Sequence, residues 1–553
     1  ANVEPQVLEG RCFSTVERRM TELVDGARRA AEASDAEVAL VGILPTLTKS
    51  DLTLDSITPR ARYYALNDAL TKMRAGEPYK LRIEGTDELY IEHDSVMLEA
   101  CNTSCQVHLQ VEAGEFARLY NVAQVVTAPV LAASVNSPIL FSKRLWDETR
   151  IALFQQSVDT RSATVHMREL APRVRFGEQW LRDSVTELFQ EDVARFRVLL
   201  TSNVDEDPLA CLEGGGIPKL QALQLHNSTI YRWNRPCYGV GANGLPHLRI
   251  ECRVLPSGPS VVDEVANAAF WVGLVTGGAE AFGDVTSRIG FDDVKENFLA
   301  ASRHGLKAGF QWLDGATWSA PRLILDELLP LAREGLAGFG VDPDDIDRYL
   351  GIIQARVETG STGAQWMMRS LTGMHEQGPR AERLAAVTAA IVRLQREGRP
   401  VHTWEPADIR EAGGWRLNYM RVEQYMTTQL FTVHEDELVD MVAFLMDRKS
   451  IRHVMVEDDR HRLVGLVSYR SLIRLMAQDH DREGEALPVK AIMERDPVSV
   501  TPETPTLEAI DLMRRHRVSC LPVVNNDKLV GIVSERDFMP IAYELLEERL
   551  RQG

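Results

Sequence analysis

The sequence predicts an α+β domain over residues 1–410, an antiparallel sheet with helices, followed over residues 420–546 by a smaller α/β module built from an internal repeat. Three observations carry that expectation. Between Leu81 and Glu112, and again between His226 and Leu255, polar and apolar residues alternate with the period of two that marks half-buried strands. From Ser260 to about Gly398 the pattern is almost wholly helical. From about Arg421 the chain runs twice through helix, strand, charged turn, strand and closing helix.

Taken in order, Cys12 to Ala33 spaces Phe13, Val16, Met20, Leu23, Val24 and Ala27 as one helical face. The continuous apolar run Val38 to Leu44, closed by Pro45, is expected to be a buried strand. Thr58-Pro59-Arg60-Ala61-Arg62-Tyr63-Tyr64 opens a second helix, with Pro59 in the first turn where its missing N–H costs nothing. Arg60 and Arg62 stand where the helix dipole disfavours cations, which points to an anionic partner or to plain solvent exposure. Strands follow, with Leu81 and Ile83 alternating with Arg82 and Glu84, and Leu89 and Ile91 with Tyr90 and Glu92. Cys105, Val107, Leu109 and Val111 then alternate with Gln106, His108, Gln110 and Glu112. Lysine is nearly absent from these strands, so their polar face reads as a lined cavity rather than a solvated surface. Trp180 to Phe196 marks an amphipathic helix, and Gly214-Gly215-Gly216, with no Lys-Ser/Thr after it, reads as a connection rather than a phosphate cradle.

The centre of the chain is Arg249-Ile250-Glu251-Cys252-Arg253-Val254-Leu255. A strand here buries Leu248, Ile250, Cys252 and Val254 and presents Arg249, Glu251 and Arg253 together. Just upstream, His226 to Pro236 is a second candidate strand, with Arg232 and Asn234 on one side and Tyr231, Trp233 and Arg235 on the other. Taken alone, the pair can be explained by cross-strand ion pairs. Helical segments follow near 261–276, 321–335, 343–357 and 380–397.

Composition excludes several classes. A chain of 553 residues with 44% hydrophobic content has material for two or more domains. A net charge of −18 argues against nucleic acid as a partner. Seven scattered cysteines are too few for a disulfide framework, and Cys101 and Cys105 lack a second pair at zinc-site spacing, so a reducing, cytoplasmic setting is expected. No apolar run reaches membrane-spanning length, the nearest, Ala268 to Val275, ending at Gly277-Gly278.

The repeat resembles a tandem pair of cystathionine-beta-synthase-type (CBS) regulatory domains, with the signature Gly-apolar-apolar-Ser/Thr-x-x-Asp complete at Gly531, Ser534 and Asp537. In the first copy Gly465 and Ser468 are followed by Ser471 where the acid belongs. That resemblance implies an adenine nucleotide or S-adenosylmethionine ligand held by Gly531, Ser534 and Asp537, one strong site per chain, and a homodimer through the CBS pairs.

The larger part is similar to the glutamate-cysteine ligase family, in its plant and bacterial type, and to the related carboxylate-amine ligases. The residues that carry this are Thr58-Pro59-Arg60-Ala61-Arg62-Tyr63, Gln106-Val107-His108-Leu109, Tyr231-Arg232-Trp233-Asn234-Arg235-Pro236 and Leu248 to Pro256. Glu296-Asn297, Arg303-His304-Gly305-Leu306 and Gly360-Ser361-Thr362-Gly363-Ala364 look like its helical part. The resemblance implies a glutamine-synthetase-like catalytic sheet, ATP and Mg2+, glutamate and an amine such as cysteine as substrates, a γ-glutamyl phosphate intermediate and a place in glutathione biosynthesis. Attack of a carboxylate on ATP gathers negative charge, so the site needs a divalent cation and guanidinium groups. Glu251 and His108 suit the cation, Arg253 the transferring phosphoryl group, and Arg232, Arg235, Arg249 and Gln106 the substrate, with Glu251 and Arg253 the expected catalytic residues. The opening Ala1-Asn2-Val3-Glu4-Pro5 reads like the end of a strand, so the family's first strand, with its early acidic ligands, is expected to precede Ala1. That feature favours a rival expectation, a non-catalytic sensor of an amino acid or nucleotide.

Overall fold

The computed structural model describes residues 2–550 apart from 75, 162–171, 203, 242, 379, 414–419, 429, 459–461, 479–486, 540–541, 543–545 and 547–549. The chain forms two compact units, Ala1–Leu47 with Thr53–Gly373 and Val387–Ala407, and Thr48–Leu52 with Met374–Ala386 and Asp408–Gly553. The fold class is α+β, as the alternation of period-two and helical stretches implies.

In the first unit the core gathers around the helix Val261–Ala281, which is apolar on nearly every side and therefore has no face to give to water. Ser260 caps it by accepting the Asp263 N–H at 3.3 Å. The glycines at 277 and 278 do not end this helix, as the sequence suggested. Gly277, with Gly273 one turn earlier, lets the helix Leu329–Gly338 cross at backbone contact: a Cβ on Gly277 would stand 2.5 Å from Leu331 O, and one on Gly273 2.6 Å from Ala332 O. Phe116–Ser134, buried along almost its whole length, packs against the same helix.

A three-stranded antiparallel sheet lies against this core, with Pro246–Cys252 in the centre, Val107–Val111 on one side and Asn234–Val240 on the other. Its buried face presents Ile250, Cys252 and Asn234, and Asn234 Nδ2 donates to Gln124 Oε1 (2.6 Å) and Thr127 Oγ1 (2.9 Å) of the Phe116–Ser134 helix. The strands around Leu81 and Leu89 form a separate hairpin, Tyr79–Glu84 with Glu88–His93.

Several local expectations change. Val38 to Leu44 is buried at Val41 and Ile43 but is not a strand, because side chains satisfy much of its backbone. The Gln395 amide bonds both Leu40 N (2.9 Å) and Leu40 O (2.6 Å). His226 and Asn227 end the helix Gln221–Asn227, so the strand begins later, at Tyr231, and breaks at Trp233. Pro59 lies before the helix Ala61–Met73, and the helix drawn from Trp180 is confined to Thr186–Arg195. Within the stretch expected to be almost wholly helical, Gly309–Gln311 and Thr317–Ser319 form a hairpin.

The second unit contains the repeat. Val439–Lys449, His453–Glu457, Leu463–Ser468 and Tyr469–Gln478 are matched by Thr506–His516, Cys520–Asn525 and Lys528–Ser534, while most of the stretch where the second closing helix was expected lies outside the described residues. Met455 and Leu466 of the first copy pack with Cys520 and Leu529 of the second, so each copy buries the other's apolar face. The leading segments are exchanged, contrary to the linear reading. Val422 and Met426 enter the core of the second copy, and Val489 and Met493 that of the first. The glycines report the same exchange, since a Cβ on Gly531 would meet Met426 Sδ at 2.6 Å and one on Gly465 would meet Met493 Sδ at 2.6 Å.

Candidate active site

The open face of the three-stranded sheet carries the candidate site. Register fixes it: His108 lies opposite Glu251, which lies opposite Arg235, and in the next row Gln110, Arg249 and Cys237 align. Because side chains alternate across the sheet, all six share the face opposite to Ile250.

Glu251 is the focus. Its side chain is 1% exposed and its carboxylate takes Arg235 Nε on Oε2 at 2.6 Å and Arg253 Nη1 on Oε1 at 2.7 Å. Gln106, with its amide turned to satisfy both neighbours, donates to Glu251 Oε1 (2.7 Å) and accepts from Arg253 (3.1 Å). Cys237 Sγ approaches Oε2 at 3.4 Å, and His108 Nε2 stands 3.9 Å from Oε1. Burial pushes the Glu251 carboxyl up, but Arg253 and Arg235 outweigh it and hold the group down at about 2. Burial and the surrounding arginines lower the His108 pKa against the pull of Glu251. Burial, with Glu251 beside it, pushes the Cys237 thiol up to about 11.

Arg249 differs from its neighbours. Among the described residues no carboxylate lies within ion-pair distance of it, and its Nε is buried without a hydrogen bond. It lines a cavity of about 140 Å³ together with Arg235, Cys237, Gln224, Asn227 and Ser228. Arg62 reaches the rim of this cavity through a 3.4 Å bond to Ser228 Oγ. An uncompensated guanidinium facing a cavity is a site for an anion.

The structure therefore brings together Gln106, His108, Arg235, Arg249, Glu251 and Arg253. It does not bring in Arg232. That side chain is almost wholly buried, with its donors on Asp192 (2.7 Å) and Glu191 (2.7 Å). The cause is local: Arg232 lies opposite Arg175 on a neighbouring strand, and two opposed cations need the two acids that the Thr186–Arg195 helix supplies. Cys237 was missed, although it lies two residues beyond Arg235 on one strand and so on the same face. In the second unit, Asp537 Oδ2 accepts from Ser534 N (2.7 Å) and Ser534 Oγ (2.9 Å), a capping box that orders the turn at Glu535–Phe538. In the first copy Ser468 and Ser471 make the same turn through their hydroxyls, 3.1 Å apart.

The α+β unit with its guanidinium-rich sheet face and the paired α/β repeat each match a known family, and the family of the first unit is one of ligase-type enzymes. The chain belongs to glutamate-cysteine ligase family 2, whose model matches residues 2–390, and CBS domains match at 422–478 and 489–543. Among curated proteins it is 29% identical over 122 residues to a homoserine O-acetyltransferase of Methanococcoides burtonii, covering 22% of this chain and 24% of that one. It is 30% identical over 136 residues to a CBS domain-containing protein of Dictyostelium discoideum, covering 23% of this chain and 93% of that one. A solved CBS domain protein from Pyrobaculum aerophilum, complexed with AMP, is 28% identical over 23% of this chain and 97% of its own, with a TM-score of 0.21. No helix among the described residues is long and apolar enough to cross a membrane.

Proposed function

We propose that the first unit is an ATP-dependent carboxylate-amine ligase that activates the γ-carboxylate of glutamate, working in the cytoplasm on a glutamine-synthetase-like sheet. The observation that carries this is Arg249, a guanidinium without an acidic partner on a cavity wall beside the Glu251 cluster. Arg249 and Arg235 bind the substrate carboxylate, and Gln106 orients it. Arg253 neutralises charge on the transferring phosphoryl group, and exclusion of water strengthens both contacts. The amine then displaces phosphate.

Glu251 and His108 are the residues that would hold Mg2+. Such an ion is commonly bound by one or two carboxylates with water and substrate phosphate oxygens completing the shell, a pattern the Glu251 carboxylate meets once one arginine releases an oxygen, while the His108 imidazole, 3.9 Å away, would add a nitrogen donor. Bound there, it would neutralise the phosphate oxygens of ATP. A second reading is favoured by the engagement of both Glu251 oxygens by arginines: the face is then a cross-strand lacing that binds an amino acid or nucleotide without turnover.

Phosphate release from ATP that requires both glutamate and an amine supports the first reading, and saturable glutamate binding with no release supports the second. Arg249→Gln is expected to raise the KM for glutamate by about 10 to 100-fold, the worth of a charged hydrogen bond of about 1.5–3 kcal/mol. An unchanged KM removes Arg249 from the substrate site.

The second unit is proposed to bind one adenine nucleotide per chain through Ser534 and Asp537, in a chain that dimerises through its CBS pairs. An ionised Asp accepts from both ribose hydroxyls, which Ser471 cannot do. Calorimetric titration of the whole chain with AMP is expected to give one site, lost in Asp537→Ala. Two equal sites would overturn the single-site reading, and binding indifferent to that change would show that Asp537 serves the turn alone.

A further inference from the structure

We infer that Asn227 reads the ammonium group of the substrate, so that the cavity beside Arg249 holds the head of an α-amino acid and leaves a second, distal carboxylate as the group activated. The inference deepens the ligase reading and rests on it. Two buried polar atoms on residues of the cavity lining carry it. Among the described residues Arg249 Nε has no acceptor and Asn227 Oδ1 no donor.

Local structure aims the Asn227 oxygen. Asn227 is the last residue of the helix Gln221–Asn227 and lies against Asn234–Val240, the outer strand of the sheet. Its Nδ2 donates to Pro236 O at 2.9 Å. A carbonyl can only accept, so the amide nitrogen faces the strand and Oδ1 is turned away from it. Pro236 is followed by Cys237, which lies opposite Arg249, so the amide stands beside the row that presents the guanidinium.

The two atoms ask for opposite partners. A buried cationic donor needs an anion, and a buried carbonyl oxygen needs a donor. A simple carboxylate satisfies only Arg249 and a simple amine only Asn227, whereas an α-amino acid carries both groups on one carbon. A carboxylate at position 227 would be drawn into ion pairs with the neighbouring arginines, as Glu251 is by Arg235 and Arg253, but a neutral amide oxygen stays available. Phe189 and Leu223 add an apolar wall for methylene groups. Arg249 and Glu251 are two residues apart on one strand, roughly 7 Å. An extended side chain of two methylenes covers that step, so a head group held at Arg249 sends its distal carboxylate toward Glu251 and Arg253.

The test is calorimetric titration of the whole chain with L-glutamate, with glutarate, which lacks the ammonium, and with 2-hydroxyglutarate, which replaces it by a hydroxyl, each with and without Mg2+ and a non-hydrolysable ATP analogue. Glutamate is expected to bind about 10 to 100-fold more tightly than either analogue, the worth of a charged hydrogen bond. Asn227→Ala should weaken glutamate binding about 10-fold and glutarate binding less than about 2-fold, whereas Arg249→Gln should weaken both alike. Loss of the Pro236 contact alone would loosen the strand for every ligand, so equal losses in Asn227→Ala would overturn the assignment. Wild-type protein that binds glutarate or 2-hydroxyglutarate as tightly as glutamate would overturn it too, and glutamate-dependent phosphate release by the same preparation would leave the ligase reading standing. Discrimination between glutamate and glutarate without any phosphate release would remove the ligase reading and keep the role of Asn227.

Discussion

Glu251→Gln is expected to lower turnover by about 10² to 10³-fold, the usual cost of losing one fixed charge at a reacting centre. It is expected to cost stability as well. The sequence alone allowed a surface-type lacing worth about 0 to 1 kcal/mol, but Glu251 is 1% exposed and holds Arg235 and Arg253, which are 18% and 12% exposed. Removing the charge strands two arginines, a loss of about 3 kcal/mol by the usual cost of breaking a buried pair. The sign of the pH dependence follows from the depressed carboxyl. Its contribution is fully present above its ordinary value of 4.5 and is lost as pH falls through about 2. The gap in unfolding free energy between wild type and Glu251→Gln should therefore be constant at neutral pH and close across that acidic window. A gap that persists below it would mean that shape, not charge, is what the glutamine disturbs. Full turnover in the folded variant would reduce Glu251 to a tie between strands.

The largest effect on stability is expected at Asp263. Asp263 Oδ1 pairs with Arg356 at 2.8 Å, and Oδ2 accepts Ser260 Oγ (2.7 Å) and Val401 N (3.0 Å). Arg356 in turn donates to Asn267 Oδ1 (2.5 Å) and Ala133 O (2.9 Å). Both charges are fully buried, and they tie the helices Val261–Ala281, Pro343–Thr359 and Phe116–Ser134 to the segment at Val401. Asp263→Ala leaves Arg356 charged in the core, so about 3–5 kcal/mol should be lost in denaturant unfolding. Arg356→Met in the same chain removes the stranded charge, and the double variant should be clearly more stable than the sum of the singles predicts. Strict additivity would refute the idea that the two act as a pair.

Much of this was legible because period two is a strong signal where one face is buried. The Leu248 to Val254 alternation gave the central strand and its polar face, and the Cys105 to Glu112 alternation gave its neighbour. The third strand was harder. Pro236 and Gly239 interrupt its alternation, which hid Cys237, and the break at Trp233 gave no sign that Arg232 turns into a different ion network. The Phe116–Ser134 helix is buried all round, so it shows no stripe for a pattern to find. The CBS repeat was legible from its two near-identical turns, but the exchange of the Met426 and Met493 segments was not. Both copies place a methionine beneath their glycine, Met426 under Gly531 and Met493 under Gly465, and the local pattern of neither segment tells which glycine it meets.

The central claim is that this face transfers the γ-phosphoryl group of ATP to a carboxylate. It is tested most directly with glutamate carrying heavy oxygen in its γ-carboxylate. When ATP, Mg2+ and an amine are supplied, an acyl phosphate leaves one carboxylate oxygen on the phosphate released, so mass spectrometry of that phosphate should find one heavy atom per turnover. Phosphate released without label would mean that water, not glutamate, attacks ATP, and would contradict the account.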